Sequence, residues 1–270
     1  MLEASDDPLL KPRQVEAASY PSLHGRGVLI TGGGSGIGMY LVEAFCAQGA
    51  RVGFVDLNAE AGARVADVVA KTTGNRPAFR QCDLTDIAAL RDAVEALRAQ
   101  TGPITALVNN AGNDDRVPFE DLSPDYWDER QAVNMRHHVF AAQAVLPDMK
   151  AAGQGVILSM GSNSWMQGAP GLLAYTTAKS SVQGFVRCLA REVGAFGVRV
   201  NAIAPGWILT DRQVSRARAV LTHKFEEYLQ KQCLKEFLLP PDVARMALFL
   251  CADDSRMITG QTMIVDGGVV

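Results

Sequence analysis

The chain of 270 residues predicts a single-domain α/β fold, a doubly wound parallel sheet of about seven strands with helices on both faces. Three observations point to it. Short β-branched runs alternate with apolar patterns of helical period, as in successive βαβ units. A glycine-rich turn separates the first such run from the first helical pattern. No repeat, low-complexity tract or linker interrupts residues 23–270.

Strands are predicted near residues 27–31, 51–55, 78–82, 105–108, 155–159, 198–203 and 262–265, and helices fill the gaps. Between Asp86 and Thr101 the residues Ile87, Leu90, Val94 and Leu97 recur at helical spacing and form one face to bury. Gly102-Pro103 then stops that helix before Ile104 opens the next strand. Residues 1–22 are polar and read as a loosely ordered tail before a domain spanning 23–270. Residues 207–240 are richer in charge and weaker in apolar pattern, and they follow the sixth strand, where a lid over the carboxyl ends of the strands belongs. Phe45, Phe185, Phe196 and Phe249 fall on apolar helical faces and are expected in the core or between helices.

Composition narrows the partners. With 26 basic against 29 acidic residues there is no electrostatic footprint for nucleic acid or an anionic membrane. No run of eighteen apolar residues exists, and Asp6-Asp7-Pro8 and Lys11-Pro12-Arg13 stand where a signal peptide would be apolar. Small-molecule substrates or other subunits remain. The five cysteines, Cys46, Cys82, Cys188, Cys233 and Cys251, lack C-x-x-C spacing and suit a reducing, cytoplasmic setting. His24, His137, His138 and His223 show no metal-ligand spacing, so no catalytic metal is expected.

The first candidate site is the glycine turn itself. Gly32, Gly36 and Gly38, with Ser35 and Ile37 between them, enter a helix whose unpaired N–H groups and positive dipole end would face an anion, here a pyrophosphate. Asp56 ends the second predicted strand eighteen residues beyond Gly38, where a carboxylate can accept both adenosine ribose hydroxyls and would repel a 2′-phosphate. Neither Ser35 nor Leu57-Asn58 supplies a cation for such a phosphate, so the expected cofactor is NAD rather than NADP. An Asp capping the next helix is the alternative reading of Asp56. Small residues in Asn109-Asn110-Ala111-Gly112, after the fourth strand, let the backbone lie close to the same cofactor.

The second candidate site is a hydroxyl pair backed by a lysine. Tyr175 and Lys179 lie four residues apart in a helical stretch and project from one face. Bringing a phenol from a pKa of about 10 to near 7 needs roughly 4 kcal/mol. An ammonium about 4 Å away at an effective dielectric near 20 is worth about that much, so the pair suffices for a general base. Ser162, thirteen residues earlier and just past a predicted strand, can hold a substrate oxygen. Asn134 stands mid-helix, where Asn competes for backbone groups, and a kink that binds a water would account for it.

With these residues in place the chain resembles the short-chain dehydrogenase/reductase family from about Gly25 to Gly268. The carriers are the glycine loop, Asp56, Cys82-Asp83-Leu84, the Asn-Asn-Ala-Gly run, Asn134, Ser162, Tyr175 and Lys179 at the family's mutual spacings, Asn201 to Thr210, and the Thr259-Gly260-Gln261 to Asp266-Gly267-Gly268 close. The resemblance implies a Rossmann fold in which Tyr175 is the acid/base, Lys179 binds the nicotinamide ribose and depresses the tyrosine pKa, and Ser162 orients the reacting oxygen. It also implies that Asn134 holds a relay water, that Asp83 and Leu84 hold the adenine, and that Pro205, Gly206, Ile208 and Thr210 dock the carboxamide. A homotetramer is implied in the same way.

Within the family the chain resembles bacterial aldose 1-dehydrogenases, which oxidise a pentose to its lactone. Tyr20-Pro21-Ser22-Leu23, Gly112-Asn113-Asp114-Asp115-Arg116, Tyr126 to Arg130, Arg136-His137, Gly161 to Trp165, Arg212-Gln213 and Gln232 to Lys235 carry that likeness. A pocket bordered by Asn113, Asp114, Arg116, Asn163, Ser164 and Gln213, with Ser162, Tyr175 and Trp207 also expected to meet the substrate, offers many hydrogen-bond groups to a polyhydroxylated ligand. Trp207 stands where such enzymes tend to carry Asn, so it either stacks on a sugar face or shrinks the pocket. Two other functions remain open: a dehydrogenase of another alcohol or ketone, such as a polyol, hydroxy acid or 3-ketoacyl substrate, and a non-catalytic NAD-binding regulator.

Overall fold

The computed structural model describes residues 17–220 and 224–270. The expected loose order of residues 1–16 and the position of His223 lie outside the described residues. Seven parallel strands, β1 (Gly27–Thr31), β2 (Arg51–Asp56), β3 (Ala78–Gln81), β4 (Ala106–Asn109), β5 (Gly155–Met160), β6 (Val198–Pro205) and β7 (Thr262–Val265), form one sheet in the order β3-β2-β1-β4-β5-β6-β7. Each predicted strand is present, with ends within two residues of the prediction.

The helices are α1 (Gly36–Ala47), α2 (Ala59–Thr73), α3 (Ile87–Thr101), α4 (Pro124–Gln131), α5 (His137–Ala152), α6 (Leu173–Val193), α7 (Asp211–Val220), α8 (Lys224–Lys231) and α9 (Pro240–Cys251). Alternate strand residues face opposite layers. Val28, Ile30, Ala106, Val108, Val156 and Leu158 pack with Leu41, Phe45, Val65 and Val243 of α1, α2 and α9. Their neighbours Leu29, Leu107 and Ile157 pack with Leu90, Val94, Val145 and Val186 of α3, α5 and α6. Strands buried on both faces read as continuous apolar runs, which is how they are recognised in the sequence.

Local chemistry sets the helix ends. Asp86 accepts the N–H groups of Ala88 and Ala89 and so starts α3, and Gly102, at φ 73°, ends it. The segment before β1 is docked from Tyr20 onward: the Tyr20 N–H donates to Gln48 Oε1 at 2.8 Å, and Leu23 is fully buried in a short 3₁₀ turn. Such burial is worth about 1.5–3 kcal/mol. Of the four phenylalanines expected inside, Phe45 is fully buried and Phe185 and Phe249 pack against the core. Phe196 is a correction: it lies in the 3₁₀ turn after α6, is 42% exposed, and stacks under the Lys150 ammonium at 4.1 Å.

Strand order reverses between β1 and β4, so their carboxyl ends open a crevice bounded by the turn into α1 and the loop after β4. No helix of the described residues is long and apolar enough to cross a membrane.

Candidate active site

One wall of the crevice is the glycine turn. Gly32 and Gly36 take positive φ angles of 68° and 53°, and a Cβ on Gly38 would lie 1.8 Å from the Gly32 carbonyl oxygen. Ser35 caps α1 without a side-chain hydrogen bond, and the first turn holds no acidic residue, so the N–H groups of Gly36, Ile37 and Gly38 open on an uncrowded positive helix end. Thr31 at the end of β1 accepts the backbone N–H groups of both Asn110 and Ala111, while Asn110 Nδ2 donates to the Thr31 and Gly32 carbonyls at 3.0 Å. Asn110 therefore spends its side chain on holding the turn. Thr31 is missed by sequence reasoning, although a hydroxyl at the last strand residue before the glycines is its signal.

Asp56 ends β2 beside this turn. Oδ2 accepts the Gly34 N–H at 2.8 Å and Oδ1 the Asn58 N–H at 2.9 Å. Asn58, not Asp56, caps α2, accepting the Ala61 N–H at 2.9 Å. A carboxylate offers about four acceptor positions, so two remain for ribose hydroxyls. On the far side Thr210 reaches the glycine turn: a Cβ on Gly36 would meet Thr210 Cγ2 at 3.3 Å. Cys82-Asp83-Leu84 follows β3, with Leu84 buried and Asp83 accepting the Thr85 N–H and hydroxyl. The cradle, the carboxylate at its rim and the segment Pro205 to Thr210 thus fit a dinucleotide.

The second half of the crevice gathers the remaining residues. Tyr175 and Lys179 share a face of α6, and Ser162, which follows β5, is near enough to the Tyr175 phenol to draw its pKa down. Ser162 Oγ is 2.8 Å from Ser164 Oγ. The buried Lys179 ammonium donates to the Met160 carbonyl at 2.9 Å and stands 6.0 Å from the centre of the Tyr175 ring. A Cβ on Gly112 would lie 3.0 Å from Asn134 Oδ1 and 3.4 Å from Lys179 Nζ, so only glycine lets the loop after β4 pass between them without crowding.

Asn134 sits in a π-helical turn, Ala132–Arg136, between α4 and α5, which is the expected kink. Its side chain is fully engaged. Oδ1 accepts the Asn113 N–H at 2.9 Å, and Nδ2 donates to the Asn113 and Arg130 carbonyls at 3.0 Å. His137 and His138, behind Lys179, are fully buried and stack edge-on at 4.5 Å. Burial and the Lys179 charge push His137 down to about 3, so it is a neutral packing group. Among the described residues no three His, Cys, Asp or Glu side chains are grouped to hold a metal.

The electrostatics correct one expectation. Burial pushes the Tyr175 phenol up to about 12, Ser162 opposing and the Asp114 charge reinforcing, and burial pushes Lys179 down to about 7. The ammonium by itself therefore does not bring the phenol to neutral pH. Desolvation of the buried phenol is the larger effect.

Several of the polar residues expected to border a substrate are joined by hydrogen bonds where the loop after β4 meets α7. Gln213 Nε2 donates to Asp114 Oδ2 at 2.7 Å and Gln213 Oε1 accepts Trp207 Nε1 at 3.1 Å. Arg212 donates to Asp115 Oδ1 at 3.0 Å and to Asn113 Oδ1 at 3.3 Å. One face of Trp207 is already stacked on Phe225, with ring centres 4.7 Å apart, and its backbone N–H donates to the Tyr228 hydroxyl. Tyr228, whose hydroxyl also lies 3.4 Å from Asn163 Nδ2, joins this cluster and is missed by sequence reasoning, because nothing local in α8 marks it. Asn163 instead ties Ser162 to the buried Asp266 through a 3.0 Å bond.

A crevice at a strand switch point, a glycine cradle and a Ser–Tyr–Lys cluster define an oxidoreductase acting on CH–OH groups with a nicotinamide cofactor, and the chain belongs to the short-chain dehydrogenase/reductase family. Residues 32–270 match the family model described as enoyl-(acyl carrier protein) reductase. The chain is 44% identical to a Rhizobium meliloti protein named "Probable galactose dehydrogenase", over 94% of this chain and 98% of that protein. It is 41% identical to the D-xylose 1-dehydrogenase of Caulobacter vibrioides, over 94% and 99% respectively. A solved structure of a 7α-hydroxysteroid dehydrogenase with NADH and 7-oxo glycochenodeoxycholic acid matches with a TM-score of 0.87 at 31% identity, covering 92% of this chain and 96% of that one.

Proposed function

We propose that this protein is an NAD-dependent aldose 1-dehydrogenase, converting the anomeric CH–OH of a sugar to an aldonolactone. What supports the reading is the grouping of Tyr175 with Lys179 on α6 and with Ser162 after β5, on a chain whose neighbouring loop carries hydrogen-bonding side chains, Asp114 and Asn113 joined to Gln213 and Arg212. The sugar dehydrogenase names of the two relatives support the substrate class.

When bound, an oxidised nicotinamide supplies the hydride acceptor and a positive charge next to the tyrosine. Lys179 would hold its ribose, and Gly32, Ser35, Gly36, Ile37, Gly38, Asp56, Asp83, Leu84, Asn110, Ala111, Gly112, Pro205, Gly206, Ile208 and Thr210 would line the rest. Asp56 favours NAD, since its carboxylate would repel a 2′-phosphate. Ser162 orients the anomeric hydroxyl and Tyr175 removes its proton as hydride leaves C1. Asn134 acts through the loop it fixes and through the π-turn, whose freed backbone groups can hold a relay water. Residues 207–240 form the substrate lid, the protein is cytoplasmic, as its free cysteines suit, and it assembles as a homotetramer.

Initial rates of NADH formation on pentoses, hexoses and 6-deoxy sugars, beside polyols and hydroxy acids, test the reading. Turnover confined to aldoses with NAD is expected; turnover of only polyols, hydroxy acids or ketones, or a clear NADP preference, overturns it.

A further inference from the structure

Asp114 occupies a position that the acid/base chemistry does not require. The loop that carries it is fixed from below, because the Asn113 N–H and carbonyl both pair with the side chain of the fully buried Asn134. It is fixed again at its far end, where Val117 N–H donates to the Gly171 carbonyl and Arg116 to the Pro170 carbonyl. Of the two neighbouring carboxylates, Asp115 serves the frame, pairing with Arg212 at 3.0 Å and Arg130 at 3.6 Å. Asp114 on the same loop pairs instead with Gln213, its Oδ2 accepting the amide Nε2 at 2.7 Å, and its charge acts on the Tyr175 phenol.

Its partner is built to hold and to yield. The Gln213 amide is oriented at both ends, donating to Asp114 Oδ2 and accepting from the indole of Trp207, so the placement of its oxygen and nitrogen follows from the network. Gln213 belongs to α7, in the charged segment after β6, whereas Asp114 belongs to the fixed loop. A neutral amide on a carboxylate can be replaced by another neutral donor of similar geometry, such as an alcohol hydroxyl, with no charge left unpaired.

We propose that Asp114, presented with Gln213, is the specificity-determining carboxylate of this enzyme: it accepts the hydroxyl on the carbon next to the one being oxidised, which takes a place in the Asp114–Gln213 pair. The inference rests on the aldose reading and narrows it to sugars bearing a free 2-hydroxyl. Substrates without that group leave the carboxylate unpaired against the ligand, and a site built to bond a hydroxyl discriminates strongly against its absence.

The test is steady-state kinetics of the full chain with NAD on an aldose and its 2-deoxy analogue, for wild type, Asp114→Asn and Asp114→Ala. D-Galactose and D-xylose are the first aldoses to use. Wild type is expected to prefer the 2-hydroxy sugar by roughly 10- to 100-fold in kcat/KM, the worth of a hydrogen bond to a charged group. Both variants are expected to lose most of that preference, chiefly through KM, while NADH binding measured by fluorescence is retained. Equal losses on the two sugars, or an undiminished preference in the variants, overturn the inference while leaving the aldose reading intact. Turnover of only polyols, hydroxy acids or ketones by the NADH-binding wild type sinks the aldose reading and this inference with it.

Discussion

Asn134 and Asn113 form a reciprocal clasp: the amide oxygen of one takes the backbone N–H of the other at 2.9 Å, and its amide nitrogen returns a bond to the same residue's carbonyl at 3.0 Å. The π-turn that carries Asn134 therefore fixes the loop that carries Asp114, whose charge acts on the Tyr175 phenol. A helix interruption unfavourable in isolation is thereby used to position a pocket wall.

Replacing Asn134 by Ala strips three hydrogen bonds from the π-turn and the loop. Thermal or urea unfolding should show a loss of about 1–3 kcal/mol for the buried groups left unpaired. The displaced loop should also lower kcat by about 10- to 100-fold. Unchanged stability would mean that the clasp does not form.

Gly38→Ala is expected to abolish dinucleotide binding while Gly74→Ala does not. The added methyl would sit 1.8 Å from the Gly32 oxygen in the first case, whereas it meets nothing within 4 Å in the second, where the only penalty is a positive φ of 71°. Isothermal titration with NADH separates the two.

Asp56→Ala should weaken NAD by roughly 10- to 100-fold, since hydrogen bonds to a charged group are worth about 1.5–3 kcal/mol. It should relax the discrimination against NADP as well. KM values for both dinucleotides measure this, and an unaltered NAD/NADP ratio would limit Asp56 to its backbone contacts with Gly34 and Asn58.

Lys179 makes stability depend on pH in a defined direction. Burial holds it at about 7 in the folded chain against 10.5 as the ordinary value. Between those values the unfolded chain binds the additional proton, so this contribution to stability rises with pH. Below about 7 both states are protonated and the contribution is flat at its least favourable. Lys179→Met should accordingly be more stable than wild type at pH 7, with the advantage shrinking by pH 9, and should be nearly inactive. Parallel urea titrations at the two pH values check the sign.

The fold is legible in the sequence because the central strands β1, β4 and β5 are buried on both faces and read as apolar runs, from Val28-Leu29-Ile30 to Val156-Ile157-Leu158, while the edge strands β3 and β7 are only partly covered. The cofactor cradle and the Tyr175–Lys179 pair are legible for a different reason. Glycines before a helix and an i,i+4 pair are local patterns. What escapes is long-range. Thr31 binding Asn110, Asn163 binding Asp266 and Tyr228 meeting Trp207 join residues 21 to 103 positions apart, and of these only Thr31, by its place before the glycines, carries a local signal. The raised phenol pKa escapes too, because desolvation is a property of the assembled crevice and not of the pair.

The most direct test is Tyr175→Phe, assayed by NADH formation with a saturating aldose and paired with a titration of NADH. The variant removes one oxygen from a side chain that otherwise keeps its packing. A fall in kcat of at least about 1000-fold with NADH affinity within about threefold of wild type is the expected result, the upper range for loss of a positioned base. Turnover near the wild-type rate would contradict the assignment of the acid/base to this phenol.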